Sequence, residues 1–187
     1  MLIVRRLTKA LLDTWQPVAA ESLAGEEAVL RIGRSGFSLG YMSLPRAEWR
    51  AFPMAEEAEP SRLADDPDAA VFAAYQEGRF VGSAAVRATK RGYGDVLDVR
   101  VDAPFRRGGV ARALLAACER FAEQREMRAL RLCCTDNNPV ACQFCEHCGF
   151  TLQGLDRSAL AYAPSEREKP MARRACMLFF YRPIGKE

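Results

Sequence analysis

The stretch Asp102-Ala103-Pro104-Phe105-Arg106-Arg107-Gly108-Gly109-Val110-Ala111-Arg112 decides how this chain is read. Just before it, Val96-Leu97-Asp98-Val99-Arg100-Val101 alternates, which predicts a half-buried strand with Leu97, Val99 and Val101 on one face and Asp98 and Arg100 on the other. Just after it, Val110, Ala113, Leu114, Ala117, Cys118, Phe121 and Ala122 recur at steps of three and four, the spacing of an amphipathic helix. Gly108 and Gly109 let the backbone turn tightly and present N–H groups at a helix N-terminus, where the dipole favours negative charge. Arg106, Arg107 and Arg112 add forked donors, so phosphate is the natural guest. The stretch lacks the Gly-Lys-Ser/Thr of a P-loop and the three spaced glycines of a dinucleotide fingerprint. Taken alone, a plain glycine turn onto an ordinary helix explains it equally well.

Further strands and helices are predicted around this junction. Residues 70–75 and 79–88 read as a hairpin closed by Glu77-Gly78. Downstream, 129–135 is an apolar run of strand length. Asn138 then supplies a cap, with Pro139 at the first position of a second helix that ends near His147 and Gly149. Residues 150–155 and 175–181 are expected to complete the sheet. At the N-terminus, Leu2-Ile3-Val4-Arg5-Arg6-Leu7 reads as a short edge strand, with Thr8 as the cap of a short helix over 9–15. Residues 21–62 show no clear period and are expected to form folded loops and a helical turn. Residues 56–68 hold six carboxylates and one arginine, which reads as a solvated loop.

The order of strands, helix, strand, helix and strands indicates a mixed α/β sheet, with 1–187 forming one domain. At 187 residues and 49% hydrophobic, the chain has enough apolar mass for a real core. No apolar run reaches membrane-span length and no signal peptide is evident, so the expectation is a cytoplasmic chain with no membrane partner. The net charge is only +3 and no basic stripe appears, which argues against a nucleic-acid partner. Seven cysteines, an odd count, do not suggest a disulfide framework in a reducing compartment.

With the loop and the second helix placed, the sequence resembles the GNAT superfamily, the GCN5-related N-acetyltransferases. The family signature Gln/Arg-x-x-Gly-x-Gly/Ala is met by Arg106, Gly109 and Ala111. The second motif, Asn-x-x-Ala-x-x-Phe-Tyr ahead of Gly-Phe, appears as Asn138, Ala141, Phe144 and Cys145, then Gly149-Phe150. The resemblance covers about residues 70–155. It leaves 1–69 as an N-terminal strand, helix and substrate-side segment, and 156–187 as closing strands. It implies a single, mostly antiparallel α+β sheet with a central splay, flanked by helices, and transfer of an acetyl group from acetyl-CoA to an amine. It further implies that Arg106, Arg107, Gly108, Gly109, Val110, Ala111 and Arg112 hold the CoA pyrophosphate. Main-chain groups of the strand over Val99, Arg100 and Val101 would pair with the pantetheine arm, and Asn138 would contact it. No metal is expected, and the protein would be a monomer or a homodimer.

Acetylation of an amine needs a group to take the amine proton and an acid for the departing thiolate. By family analogy Asp98 is the candidate base, although an ion pair with Arg100 explains it equally well. The family acid is a tyrosine where this chain has Cys145, so Cys145, Tyr162 or water would have to serve. Cys142, Cys145, Cys148 and His147 also invite a metal-site reading, against which stands cysteine as a small apolar packing residue. The aromatic strand over 175–181, Tyr162 and 37–41 are similar to the streptothricin acetyltransferase branch. That branch acetylates an antibiotic's β-lysine amine. A small-molecule amine is therefore the first expected acceptor. The alternatives are an acyl-CoA-binding domain without catalysis and a peptide N-acetyltransferase.

Overall fold

The computed structural model describes residues 1–19, 21–34, 36–52, 54–160 and 175–185. In chain order the described elements are β1 (Leu2–Leu7), β2 (Glu21–Gly33), β3 (Gly36–Ala51), α1 (Pro60–Leu63), β4 (Ala69–Gln76), β5 (Arg79–Ala88) and β6 (Tyr93–Val101). They continue with α2 (Val110–Glu123), β7 (Ala129–Thr135), α3 (Pro139–His147), β8 (Thr151–Asp156) and β9 (Met177–Pro183). Short 3-10 turns occur at Lys9–Thr14, Glu56–Ala58 and Ala103–Phe105. A seven-stranded sheet has the order β1-β4-β5-β6-β7-β9-β8, and β2-β3 form a separate ribbon. Pairs β1/β4, β4/β5, β5/β6 and β8/β9 are antiparallel. The architecture is the mixed sheet indicated by the element order, and it is mostly antiparallel and flanked by helices as the family resemblance implies. No helix among the described residues is long and apolar enough to cross a membrane.

The described residues form two compact units. The first contains 1–19, 52, 54–131 and 183–185, and the second 21–34, 36–51, 132–160 and 175–182. In the first unit, Glu77 (φ 53°) and Gly78 (φ 81°) close the β4–β5 hairpin with the left-handed pair that matches strand twist. One face of β4, β5 and β6 receives α2, which buries Val110, Leu114, Leu115, Ala117, Cys118, Phe121 and Ala122. Phe121 meets Phe72 edge to face at 6.4 Å. A second cluster unites Leu7, Leu63, Ala69, Val71, Ala73 and Ala85, with Leu12, Trp15, Tyr75, Phe80 and Leu97 packed around it. Trp15 Nε1 donates to Ser83 Oγ at 3.3 Å, so the indole N–H is satisfied at the edge of this core.

Two details of the first unit differ from the sequence reading. A register shift between Ala85 and Val86 pairs Val86 with Val96 but Ala85 with Asp98, leaving Leu97 outside the regular pairing. Leu97 therefore joins the cluster containing Ala85, while Val99 pairs with Ala84, and the predicted common face of Leu97, Val99 and Val101 is broken by the bulge. The acidic stretch is also more than a solvated loop. It carries the turn at Glu56–Ala58 and α1, which bury Ala58, Pro60 and Leu63 while its carboxylates face outward. Asp65 pairs with Lys9 and Asp66 with Arg87, so part of its charge is answered within the unit.

In the second unit, 21–51 is not loops but a long hairpin. The signal was hidden because a two-stranded ribbon has no fully buried face. Leu23, Met42 and Trp49 stand exposed, whereas Glu26 is half-buried and accepts from Gln143 Nε2 at 2.7 Å. Tyr41 Oη donates to Glu146 Oε2 at 2.6 Å, and Arg50 Nη1 donates to the Asn137 carbonyl at 2.8 Å. These bonds fasten the ribbon to α3 and to the loop before it. Phe150, Leu178 and Phe180 form the apolar heart of the β8–β9 side.

Gly82 pairs with Val101 in the first unit, and a Cβ there would run into the Arg100 carbonyl oxygen. Gly82→Ala is expected to cost about 1–3 kcal/mol of stability through overpacking, measured by urea unfolding.

Candidate functional site

At the end of β6 the chain turns through Ala103–Phe105 and enters α2. Asp102 N–H donates to the Val81 carbonyl at 2.9 Å, which anchors the turn to β5. Arg106 is extended, Arg107 is left-handed (φ 66°), and Gly109 is left-handed (φ 81°) as the N-cap of α2. No side chain caps this helix, and Ala113 N–H is the first donor to reach back, to the Gly109 carbonyl at 3.0 Å. The N–H groups of Val110, Ala111 and Arg112 precede that first bond, so the helix itself supplies them no acceptor. Alternating backbone hands followed by unfilled helix donors make a concave anion cradle. Arg107 and Arg112 are exposed beside it, while Arg106 Nε donates to the Val101 carbonyl at 3.0 Å and ties the loop back to β6. The residues present therefore fit a pyrophosphate group.

Asp98 and Arg100 share the other side of β6. Arg100 Nε reaches both carboxylate oxygens of Asp98, at 2.8 and 2.9 Å, and Nη2 donates to the Phe52 carbonyl at 3.0 Å. Both side chains are largely buried, at 13% and 14% exposure. Burial raises the Asp98 pKa, and the Arg100 charge and hydrogen bonds only partly oppose it. Asp98 is thus a desolvated carboxylate with its charge held in place.

The second unit holds the other named residues. Asn138 Oδ1 accepts from Ala141 N–H at 3.1 Å and caps α3, with Pro139 at the first helical position. Cys145 is 2% exposed and Cys142 fully buried, so both pack into the core. Cys134 at the end of β7 joins them: its Sγ lies 3.6 Å from Cys142 Sγ, and it also hydrogen-bonds to Cys145. Hydrogen bonds to Cys142 and Cys145, followed by burial, push the Cys134 thiol well up. Cys148 stands at the C-cap of α3, where its carbonyl accepts from Arg182 Nη1 at 2.9 Å. The exposed His147 turns Nδ1 to the Gln143 carbonyl of its own helix at 2.7 Å. The four proposed metal ligands of this helix do not converge, and among the described residues no group of three His, Cys, Asp or Glu is arranged to hold a metal ion. Tyr162 lies outside the described residues.

Two features were missed from the sequence. Asp136 exchanges hydrogen bonds with Cys176, accepting on Oδ1 at 2.9 Å and donating its N–H at 3.1 Å, and burial raises its pKa. The Tyr41–Glu146 contact likewise joins residues 105 positions apart, and burial and then the Glu146 carboxylate push the phenol up. No local spacing announces either one.

The sequence profile of the Acetyltransferase (GNAT) family matches residues 41–150. A streptothricin acetyltransferase of Escherichia coli is 31% identical over 91 residues, which cover 49% of this chain and 52% of that protein. The chain thus aligns with about half the length of that curated relative. Among solved structures, a candidate streptothricin acetyltransferase of Bacillus anthracis str. Ames, in complex with acetyl coenzyme A, superposes with a TM-score of 0.84 at 20% identity. It covers 98% of this chain and 99% of that one. A nourseothricin acetyltransferase gives 0.78 at 23% identity, with the same coverage. The two structures share this fold.

A carboxyl that holds its proton more tightly when folded contributes stability that is fully present below its unfolded pKa and lost as pH rises through its folded pKa. The stability of the wild type relative to Asp98→Asn is therefore expected to fall as pH rises from about 3.8 through the raised native value of Asp98. Urea unfolding at a series of pH values checks this, and a difference that grew with pH would contradict the dominance of burial.

Proposed function

The chain belongs to the Acetyltransferase (GNAT) family, and from that premise we propose that it moves an acetyl group from acetyl-CoA to a primary amine of a small molecule. One observation carries the reading: α2 begins at the end of β6 with Gly109 and Arg107 left-handed, no side-chain cap, and arginines on the same loop. That cradle suits a pyrophosphate, the part of CoA common to every acyl chain it carries. The similarity to the Escherichia coli streptothricin acetyltransferase favours an amine of the streptothricin class as acceptor.

Acetyl-CoA supplies an activated thioester carbonyl, and the protein's part is placement and proton handling. Arg107, Arg112 and the first N–H groups of α2 hold the pyrophosphate, which fixes the far end of the cofactor. The backbone of Val99 and Val101 guides the pantetheine arm as an added strand would, and Asn138 contributes a further polar contact. Holding both reactants in register supplies a large share of the rate. Asp98, desolvated and steadied by Arg100, accepts the proton that the attacking amine must lose. Cys145 is sealed in the core, which supports a packing role and leaves Tyr162 or water to protonate the departing thiolate.

Release of CoA thiol, measured with a panel of amines that includes streptothricin, tests the proposal. Turnover is expected with at least one small-molecule amine. Tight acetyl-CoA binding without turnover on any acceptor would replace this reading with an acyl-CoA-binding domain. Asp98→Asn is expected to lower kcat by about 10²-fold or more with little change in KM for acetyl-CoA. An unchanged rate at every pH would remove Asp98 from the proton path. Gly109→Val, which forces a β-branched side chain to φ 81°, is expected to raise KM for acetyl-CoA with a smaller effect on kcat.

A further inference from the structure

Seven thiols are free in this chain, and two of them face each other at a distance that hydrogen-bonded sulfur atoms adopt. Cys134 lies one residue from the end of β7 and Cys142 in the first turn of α3, with Sγ atoms 3.6 Å apart. Cys142 is fully buried, and its Sγ is also 3.5 Å from the Thr135 carbonyl oxygen, which keeps the side chain turned toward β7. Cys134 is the partly exposed member, so a small reagent reaches it first. A disulfide needs sulfur atoms about 2.05 Å apart, so its formation brings these two about 1.5 Å closer.

We propose that Cys134 and Cys142 are an oxidation site that hydrogen peroxide converts to an intrachain disulfide. In the first step the Cys134 thiolate attacks one peroxide oxygen, the O–O bond breaks, and a sulfenic acid and hydroxide form, the hydroxide becoming water with the proton that the Cys134 thiol gave up. In the second step the Cys142 sulfur attacks the Cys134 sulfur. The S–O bond breaks, and hydroxide leaves as water with the Cys142 proton. Two thiols and one peroxide thus give one disulfide and two waters. The seven residues between the partners include Asn138, so the bond draws the capping loop of α3 against β7. The cross-link stands apart from the acetyltransferase reading and is tested without acetyl-CoA.

The test treats the purified full chain with hydrogen peroxide at mildly alkaline pH. Cys142 and Cys145 from α3, with Tyr41 from β3 close by, hold Cys134 protonated beyond the ordinary thiol range, so the cross-link is expected to form faster as the pH of the treatment is raised. Free thiols are then counted after denaturation. The expected count falls from seven to five, peptide mass analysis joins Cys134 to Cys142, and dithiothreitol restores seven. Cys134→Ala, at the partly exposed position, is expected to abolish the cross-link. Cys118→Ala, whose thiol is buried in α2 and pushed up to about 12, is expected to leave it intact. An unchanged thiol count, or a bridge from Cys134 to Cys145 instead, would overturn the proposal.

Discussion

The closeness of α2 to β6 is the constraint on which the first unit depends. A side chain at Gly94 would lie 3.0 Å from the Ala122 Cβ and 3.1 Å from Leu130 Cδ2, so the helix rests where β6 has no side chain to hold it off. Phe121 and Leu114 then fill the space over β4 and β5. With its last turns fixed there, the first turn of α2 must stand at the far end of β6. Gly109, without a side chain, cannot cap it. The anion cradle is thus a consequence of helix packing joined to the one residue type that tolerates the left-handed entry.

Polar groups on β6 are costly by comparison. Asp98 and Arg100 are both largely withdrawn from water, and Arg131 pairs with Asp95 on the same strand while lying 4.8 Å from the Tyr93 ring centre. Buried ion pairs gain little over well-packed apolar residues of the same size. The stability they add is therefore a weak account of their burial, and a desolvated carboxylate such as Asp98 is a stronger base than a solvated one, as the proposed proton transfer requires. Arg100, bonded also to the Phe52 carbonyl, keeps Asp98 in one orientation.

The sequence is most legible where one local rule acts alone. The β4–β5 hairpin follows from Glu77-Gly78, α2 from its three-and-four spacing, and α3 from Asn138-Pro139, and each forms where its signal lies. It is least legible where a distant partner decides. The β2–β3 ribbon has exposed Leu23 and Trp49 and a half-buried Glu26, the reverse of the pattern that marks a strand, because Gln143 satisfies Glu26 from 117 residues away. Leu97 changes face because β6 carries it as one extra residue against the Ala85–Val86 step of β5, which the alternation of β6 alone does not reveal. The cysteines of α3 gain their nearest neighbour, Cys134, from a different element, which a count of spacings along the helix cannot supply.

At Asn138 the structural role leaves room for the ligand role proposed for it. Its Oδ1 is committed to the Ala141 N–H, and this bond also fixes which end of the amide is oxygen, since an NH₂ group could not accept there. The two hydrogens on Nδ2 have no partner among the described residues and stay available to an acceptor outside the helix. The cap therefore holds the amide by its oxygen and leaves its donor end unused. A substitution at 138 removes both at once, whereas aspartate would keep the cap and lose the donor, so the two contributions are separable at a single position.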